Sequence, residues 1–159
     1  MNFDTVNAKI IIALNKLKEK DSDLLEINVN ERTISHKLAE YLQEEFKELS
    51  VDCEYNRHEY ATKELNMPKD LIDWNDTEAK TVFPDIMIHK RRTDTDNLLV
   101  IEMKKSSNST SRQFDETKIM GLMKKPYSYK FGLFIEINVK GGKSLLRWCM
   151  SDEWIDCHI

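Results

Sequence analysis

Two short apolar runs, each broken by one carboxylate, constrain this chain more than any other feature. In Thr81–His89, strand alternation puts Phe83, Asp85, Met87 and His89 on one face and Val82, Pro84, Ile86 and Ile88 on the other. In Asn97–Lys104, Leu98, Val100, Glu102 and Lys104 share a face, and Leu99, Ile101 and Met103 form the opposite, apolar one. The turn-rich Thr93-Asp94-Thr95-Asp96 joins the two runs, so they are expected to pair antiparallel. A charge inside a buried strand is costly unless it is paired or bound to metal, so Asp85 and Glu102 require a partner. A hard divalent cation meets that need, because Mg²⁺ takes one or two carboxylates and completes its shell with waters and phosphate oxygens. Lys104 projects from the same face as Glu102, where it could orient a water and offset phosphate charge. The structural alternative is an ion pair within the strands, such as Asp85 with Lys104.

The rest of the chain supplies helices and further strands around this pair. Val6, Ile10, Ala13, Leu14 and Leu17 recur at helical spacing, which predicts a helix over Asp4–Lys20 followed by a loop over Asp21–Asn28. Asn30 is the expected N-cap of a second helix with the stripe Ile34, Leu38, Tyr41, Leu42, Glu45 and Leu49. Extending that stripe backwards reaches Glu31, which either points inward or simply complements the helix dipole. Val51–His58 alternates as a strand. The polar connection after it holds Met67-Pro68, Leu71, Ile72 and Trp74 and is expected to form a short helix or flap. Phe114–Lys125 predicts a third helix halted before Pro126, Lys130–Asn138 a strand, and Ser144–Met150 a last strand after Gly141-Gly142. Cys157-His158 is expected to lie in a frayed terminus. His89 falls about 13 Å beyond Asp85 by strand rise and reads as a rim residue, not a ligand. This order calls for an α/β fold, a mixed sheet flanked by helices in one domain over residues 1–159.

Composition narrows the class. With 4 Gly and 3 Pro in 159 residues, the chain is neither collagenous nor linker-like. No apolar run approaches the 18 or so residues of a membrane span, and the N-terminus lacks a signal-peptide pattern, so a cytoplasmic protein with no membrane partner is expected. Three Cys at no metal-ligand spacing point to reduced thiols. The net charge of −4 hides an asymmetry: Glu19–Glu54 holds 4 basic against 11 acidic residues, whereas Glu102–Lys130 holds 7 basic against 3 acidic. The second segment contains Lys104, Lys105, Arg112, Lys118, Lys124, Lys125 and Lys130, which read either as phosphate contacts or as a solvated face.

Pro84-Asp85 followed by Glu102-Met103-Lys104 resembles the PD-(D/E)xK motif of the restriction-endonuclease-like nuclease superfamily. The match covers roughly Asn30 to Asn138, and the layout is similar to that of small stand-alone bacterial members. The resemblance implies an α-β-β-β-α-β core, here with an extra N-terminal helix and C-terminal strand. It implies hydrolysis of DNA phosphodiester bonds with Mg²⁺ or Mn²⁺ as cofactor. Asp85, Glu102 and the Met103 carbonyl would be metal ligands, Lys104 the catalytic lysine, and Glu31 an extra metal or water contact. A polar residue from the following helix would be Lys118 or Gln113, and with Arg57, Lys105 and Arg112 these are the candidate nucleic-acid contacts. Specificity would come from loops, a homodimer or a partner protein. The alternative is a nuclease-like fold that binds nucleic acid or a partner without cleaving.

Overall fold

A computed structural model describes residues 1–55, 57–58, 61–62, 64–65, 80–81, 83–93 and 95–159. Helices α1 (Phe3–Lys20), α2 (Ser22–Glu26) and α3 (Glu31–Glu45) come first, then strands β1 (Ser50–Cys53), β2 (Arg57–His58), β3 (Ala61–Thr62), β4 (Glu64–Leu65), β5 (Lys80–Thr81), β6 (Ile86–His89) and β7 (Leu99–Lys105). Helix α4 (Gln113–Met123) and strands β8 (Phe131–Ile137), β9 (Leu145–Met150) and β10 (Glu153–His158) complete the chain. One six-stranded sheet runs β1-β6-β7-β8-β9-β10, and β2-β3 and β4-β5 form two small ribbons. Of the strand expected over Thr81–His89, only Ile86–His89 forms β6, which pairs antiparallel with β7 as expected, Ile86 opposite Ile101 and Ile88 opposite Leu99, whereas Thr81 lies in β5 opposite Glu64. Between β7 and β8 the pairing is parallel, which makes the sheet mixed.

A parallel pair needs a crossover, and α4 supplies it. This helix lies hard against β8, because a Cβ at Gly132 would come 2.2 Å from Cγ2 of Ile119. Only glycine lets the helix approach so closely. Ile119 and Leu122 pack there with Met87, Val100 and Phe134, while the opposite sheet face buries Ile86, Ile88, Leu99, Ile101 and Met103 under α1 and α3. The predicted α1 stripe is fully buried. Asn30 caps α3 by accepting the Thr33 N–H at 2.8 Å. Asn30→Ala should therefore cost about 1 kcal/mol of stability, seen as a lower urea midpoint with an unchanged slope.

Several boundaries differ from the sequence reading. The expected loop over 21–28 contains α2, which buries Leu25. Helix α3 stops at Glu45, before Leu49, since the Gln43 amide donates to the carbonyls of Phe46 and Leu49 and accepts the Val51 N–H. The strand expected over Val51–His58 ends at Cys53. Glu54 turns the chain with φ +49°, and Arg57–His58 pair with Ala61–Thr62 instead. The C-terminus is not frayed: Cys157 and His158 lie in β10, paired along β9, so two strands follow β8 and not one. The expected helix or flap around Leu71, Ile72 and Trp74 lies outside the described residues. All three cysteines carry free thiols. No helix among the described residues is long and apolar enough to cross a membrane.

Candidate active site

On the α4 face of the sheet, at the ends of β6 and β7, a cleft of about 400 Å³ is lined by Glu31, Arg32, Glu54, Phe83, Asp85, Glu102, Met103, Lys104, Asp115 and Lys118. Strand geometry explains the first group. Asp85 immediately precedes β6 on the face of Met87, and Glu102 and Lys104 follow Val100 along β7 on that same face. Asp85 Oδ2 accepts the Met103 N–H at 2.7 Å, which locks it across the strand pair beyond the last ladder contact. Helix geometry explains the second group. Asp115 and Lys118, three residues apart near the start of α4, project from one side of the helix into the cleft.

The charges in the cleft pair off in a definite pattern. Lys118 Nζ lies 2.7 Å from Glu102 Oε2 and also donates to the Phe83 carbonyl at 3.3 Å. Lys104 Nζ lies 2.9 Å from Asp115 Oδ2 and donates to Thr110 Oγ1 at 3.0 Å. At the mouth, the exposed Arg32 reaches Glu54 at 2.9 Å. The strand-internal pair considered above, Asp85 with Lys104, does not form. Five carboxylates thus face three cations. Burial pushes the Asp85 pKa up, reinforced by the charges of Asp115 and Glu31 and opposed by the Met103 N–H and Lys118. Glu102, only 1% exposed, is raised well above the ordinary carboxylate range by burial and then by Asp85. For Lys118, burial pulls the pKa down, but Glu102, Asp85 and Asp115 outweigh it and the net shift is upward.

Two buried atoms in this network have no hydrogen-bond partner among the described residues: Asp115 Oδ2, which has only its ion pair with Lys104, and Glu102 Oε1. A desolvated carboxylate oxygen beside a second, half-buried carboxylate and below a net negative cleft is a place for a cation. Among the described residues, no three His, Cys, Asp or Glu converge as a metal cluster, so protein ligands alone would not complete a cation's shell. Asp85 and Glu102 as a two-carboxylate donor set fit Mg²⁺ or Mn²⁺, which retain waters and take substrate oxygens.

The remaining sequence candidates scatter. Glu31 lines the cleft, yet its Oε1 is occupied by the Lys105 N–H and the Asn108 amide, both at 2.9 Å. Lys105 turns away and donates to the Asn28 and Val29 carbonyls. Arg112 sits 3.4 Å from Glu116, and the exposed Gln113 does not line the cleft. Of the two candidates from the following helix, Lys118 is therefore the one in the site, and at 8% exposure it is no part of a solvated basic face. The side chain of Arg57 lies outside the described residues. His89 is not at the cleft rim: it is buried at the far end of β6, off the cleft lining, held by Asp52 at 2.9 Å and edge-on to Tyr55. Asp115, Arg32 and Glu54 escaped the sequence reading. Only Asp115 carried a usable signal, its i, i+3 spacing to Lys118. No family model, curated protein or solved structure matches the chain.

Proposed function

We propose that this protein is a metal-dependent phosphodiesterase that hydrolyses DNA with a PD-(D/E)xK site. The observation that carries the reading is Glu102, buried with one oxygen unpartnered among the described residues, beside Asp85 and two residues from Lys104 in the same cleft. The order α3, β1, β6, β7, α4, β8 is compatible with a restriction-endonuclease-like core and supports it further. Asp85 and Glu102 would hold Mg²⁺ or Mn²⁺, which supplies Lewis acidity and an activated water when bound. Lys104 would offer an N–H to a phosphate oxygen or to the attacking water, and the apolar strand faces beneath keep the carboxylates desolvated, so their charges act strongly. A second reading, a non-cleaving nucleic-acid or partner-binding module, draws on Lys118, whose ammonium already serves Glu102 as a cation.

Incubation with single-stranded, double-stranded and branched DNA and with RNA, in Mg²⁺ or Mn²⁺ with and without chelator, decides between them. Chelator-sensitive cleavage is the expected result, and none on any substrate favours the module. A metal test needs no substrate. The raised Asp85 pKa means that its charge strains the metal-free fold above that pKa and relaxes as pH falls towards the ordinary carboxylate value. Asp85→Asn should therefore melt at or above wild type at neutral pH, with the difference vanishing in acid. The same variant should lose most of the stabilisation that Mn²⁺ confers on wild type, about 2.7 kcal/mol at a hundredfold excess over Kd. Equal metal shifts in both proteins would remove Asp85 from the metal site.

A further inference from the structure

A continuous hydrogen-bonded chain joins the helix carboxylate Glu31 to the ammonium of Lys104. Glu31 Oε1 accepts the Asn108 side-chain amide at 2.9 Å, and Asn108 Oδ1 accepts both the N–H and the hydroxyl of Thr110, at 3.0 and 2.8 Å. Thr110 Oγ1 then accepts from Lys104 Nζ at 3.0 Å. Every donor and acceptor in the chain points one way: ammonium to hydroxyl, hydroxyl to amide oxygen, amide N–H to carboxylate. Such a chain polarises each bond in the same sense, so its members strengthen one another. It also matches the hydrogen-bonding inventory, since a hydroxyl can accept from Lys104 and still donate its one proton to Asn108.

The chain links parts that are far apart in sequence. Glu31 begins α3, Lys104 nears the end of β7, and Asn108 and Thr110 stand in the connection leading to α4. The same Glu31 oxygen takes the Lys105 N–H at 2.9 Å, and Ser107 Oγ donates to Asn28 Oδ1 at 3.1 Å, so the connection is tied to the α3 start at more than one point. Lys104 ends in a flexible four-carbon stem whose ammonium has three donors. Thr110 accepts from one, and the Asp115 carboxylate pairs with the ammonium at 2.9 Å, which leaves donor capacity for a substrate or water oxygen. A lysine held between two fixed partners presents its remaining donors over a restricted range of directions, and positioning of this kind is a large part of catalytic rate.

We propose that Asn108 and Thr110 are positioning residues that relay Glu31 to Lys104, so that Glu31 serves the site through the lysine and not as a metal ligand. The functional half of this rests on the phosphodiesterase reading; the tether itself does not. The test therefore has two readouts. Labelling of Lys104 by an amine-acylating reagent, followed by mass spectrometry against the exposed Lys124 and Lys125 as internal standards, should be slow in wild type. It should rise at least severalfold in Thr110→Val, which keeps the shape and removes the hydroxyl, and return to the wild-type rate in Thr110→Ser. Unchanged labelling in Thr110→Val overturns the proposal whether or not the protein cleaves anything. In cleavage assays, Thr110→Val and Asn108→Ala should lower kcat about tenfold with KM little changed, the size typical when a hydrogen bond that orients a functional side chain is lost, and Thr110→Ser should restore it. A Thr110→Val enzyme with wild-type kcat would overturn the positioning role. Glu31→Gln should retain the full Mn²⁺-induced melting shift, and a loss of that shift would make Glu31 a metal ligand and overturn the relay.

Discussion

Lys104→Ala is expected to reduce metal-dependent DNA cleavage by about 10²–10³-fold, the range seen when one preorganised electrostatic donor is removed from an active site. The substitution should leave the fold standing. Lys104 lines the cleft with its side chain 16% exposed, and its polar partners are Asp115 and the exposed Thr110. Losing the ammonium leaves Asp115 without its cation, which costs about 1–3 kcal/mol and can be followed as a lower melting temperature. Single-turnover cleavage and thermal melting on the same preparation separate the two effects. Cleavage at the wild-type rate would mean that the lysine serves Asp115 and nothing else.

The second large effect concerns stability. Lys118→Met should destabilise the protein by about 3–5 kcal/mol at neutral pH, because it leaves a buried carboxylate without its charge partner. Glu102 is 1% exposed and has Lys118 Nζ as its partner at 2.7 Å, while burial, and after it Asp85 and Asp115, already push its pKa upward. Without the ammonium, Glu102 keeps a proton in the folded state to still higher pH. A carboxylate whose folded pKa is raised favours folding below the unfolded pKa, and that contribution is lost as pH rises through the folded value. The deficit of Lys118→Met should thus shrink steadily as pH falls towards about 4.3, the ordinary glutamate value. Metal supplies an independent check. If Asp85 and Glu102 hold a divalent cation, the cation replaces the missing ammonium, and Mn²⁺ should raise the melting temperature of Lys118→Met by more than it raises that of wild type. A pH-independent deficit together with no metal response would show that Lys118 matters through packing alone.

The faces of β6 and β7 were legible in the residue pattern because strand alternation is local backbone geometry. Once Ile86, Ile88, Leu99 and Ile101 are buried on one side, Asp85, Glu102 and Lys104 have to project from the other. The Asn30 cap and the inward position of Glu31 were readable for the same reason, each resting on a few adjacent residues. Strand β10 was not. Its hairpin turns on Ser151 and Asp152 with φ of +50° and +67°, without the glycine or asparagine that announces two left-handed residues in a row. The exposed alternation of a sheet edge then carries little apolar signal.

The identity of the ion pairs was decided only in three dimensions. The residue pattern placed Lys104 beside Glu102 on β7 but could not say that α4 settles on Gly132 closely enough to bring Asp115 to Lys104 and Lys118 to Glu102. Nor could it anticipate that the connection after β7 folds back on the start of α3, so that Asn108 and Thr110 stand between Glu31 and Lys104. Alternation and capping depend on dihedral angles within a few residues of one another. Which charges meet depends on where a crossover helix packs, and that is set by apolar burial distributed over the whole sheet.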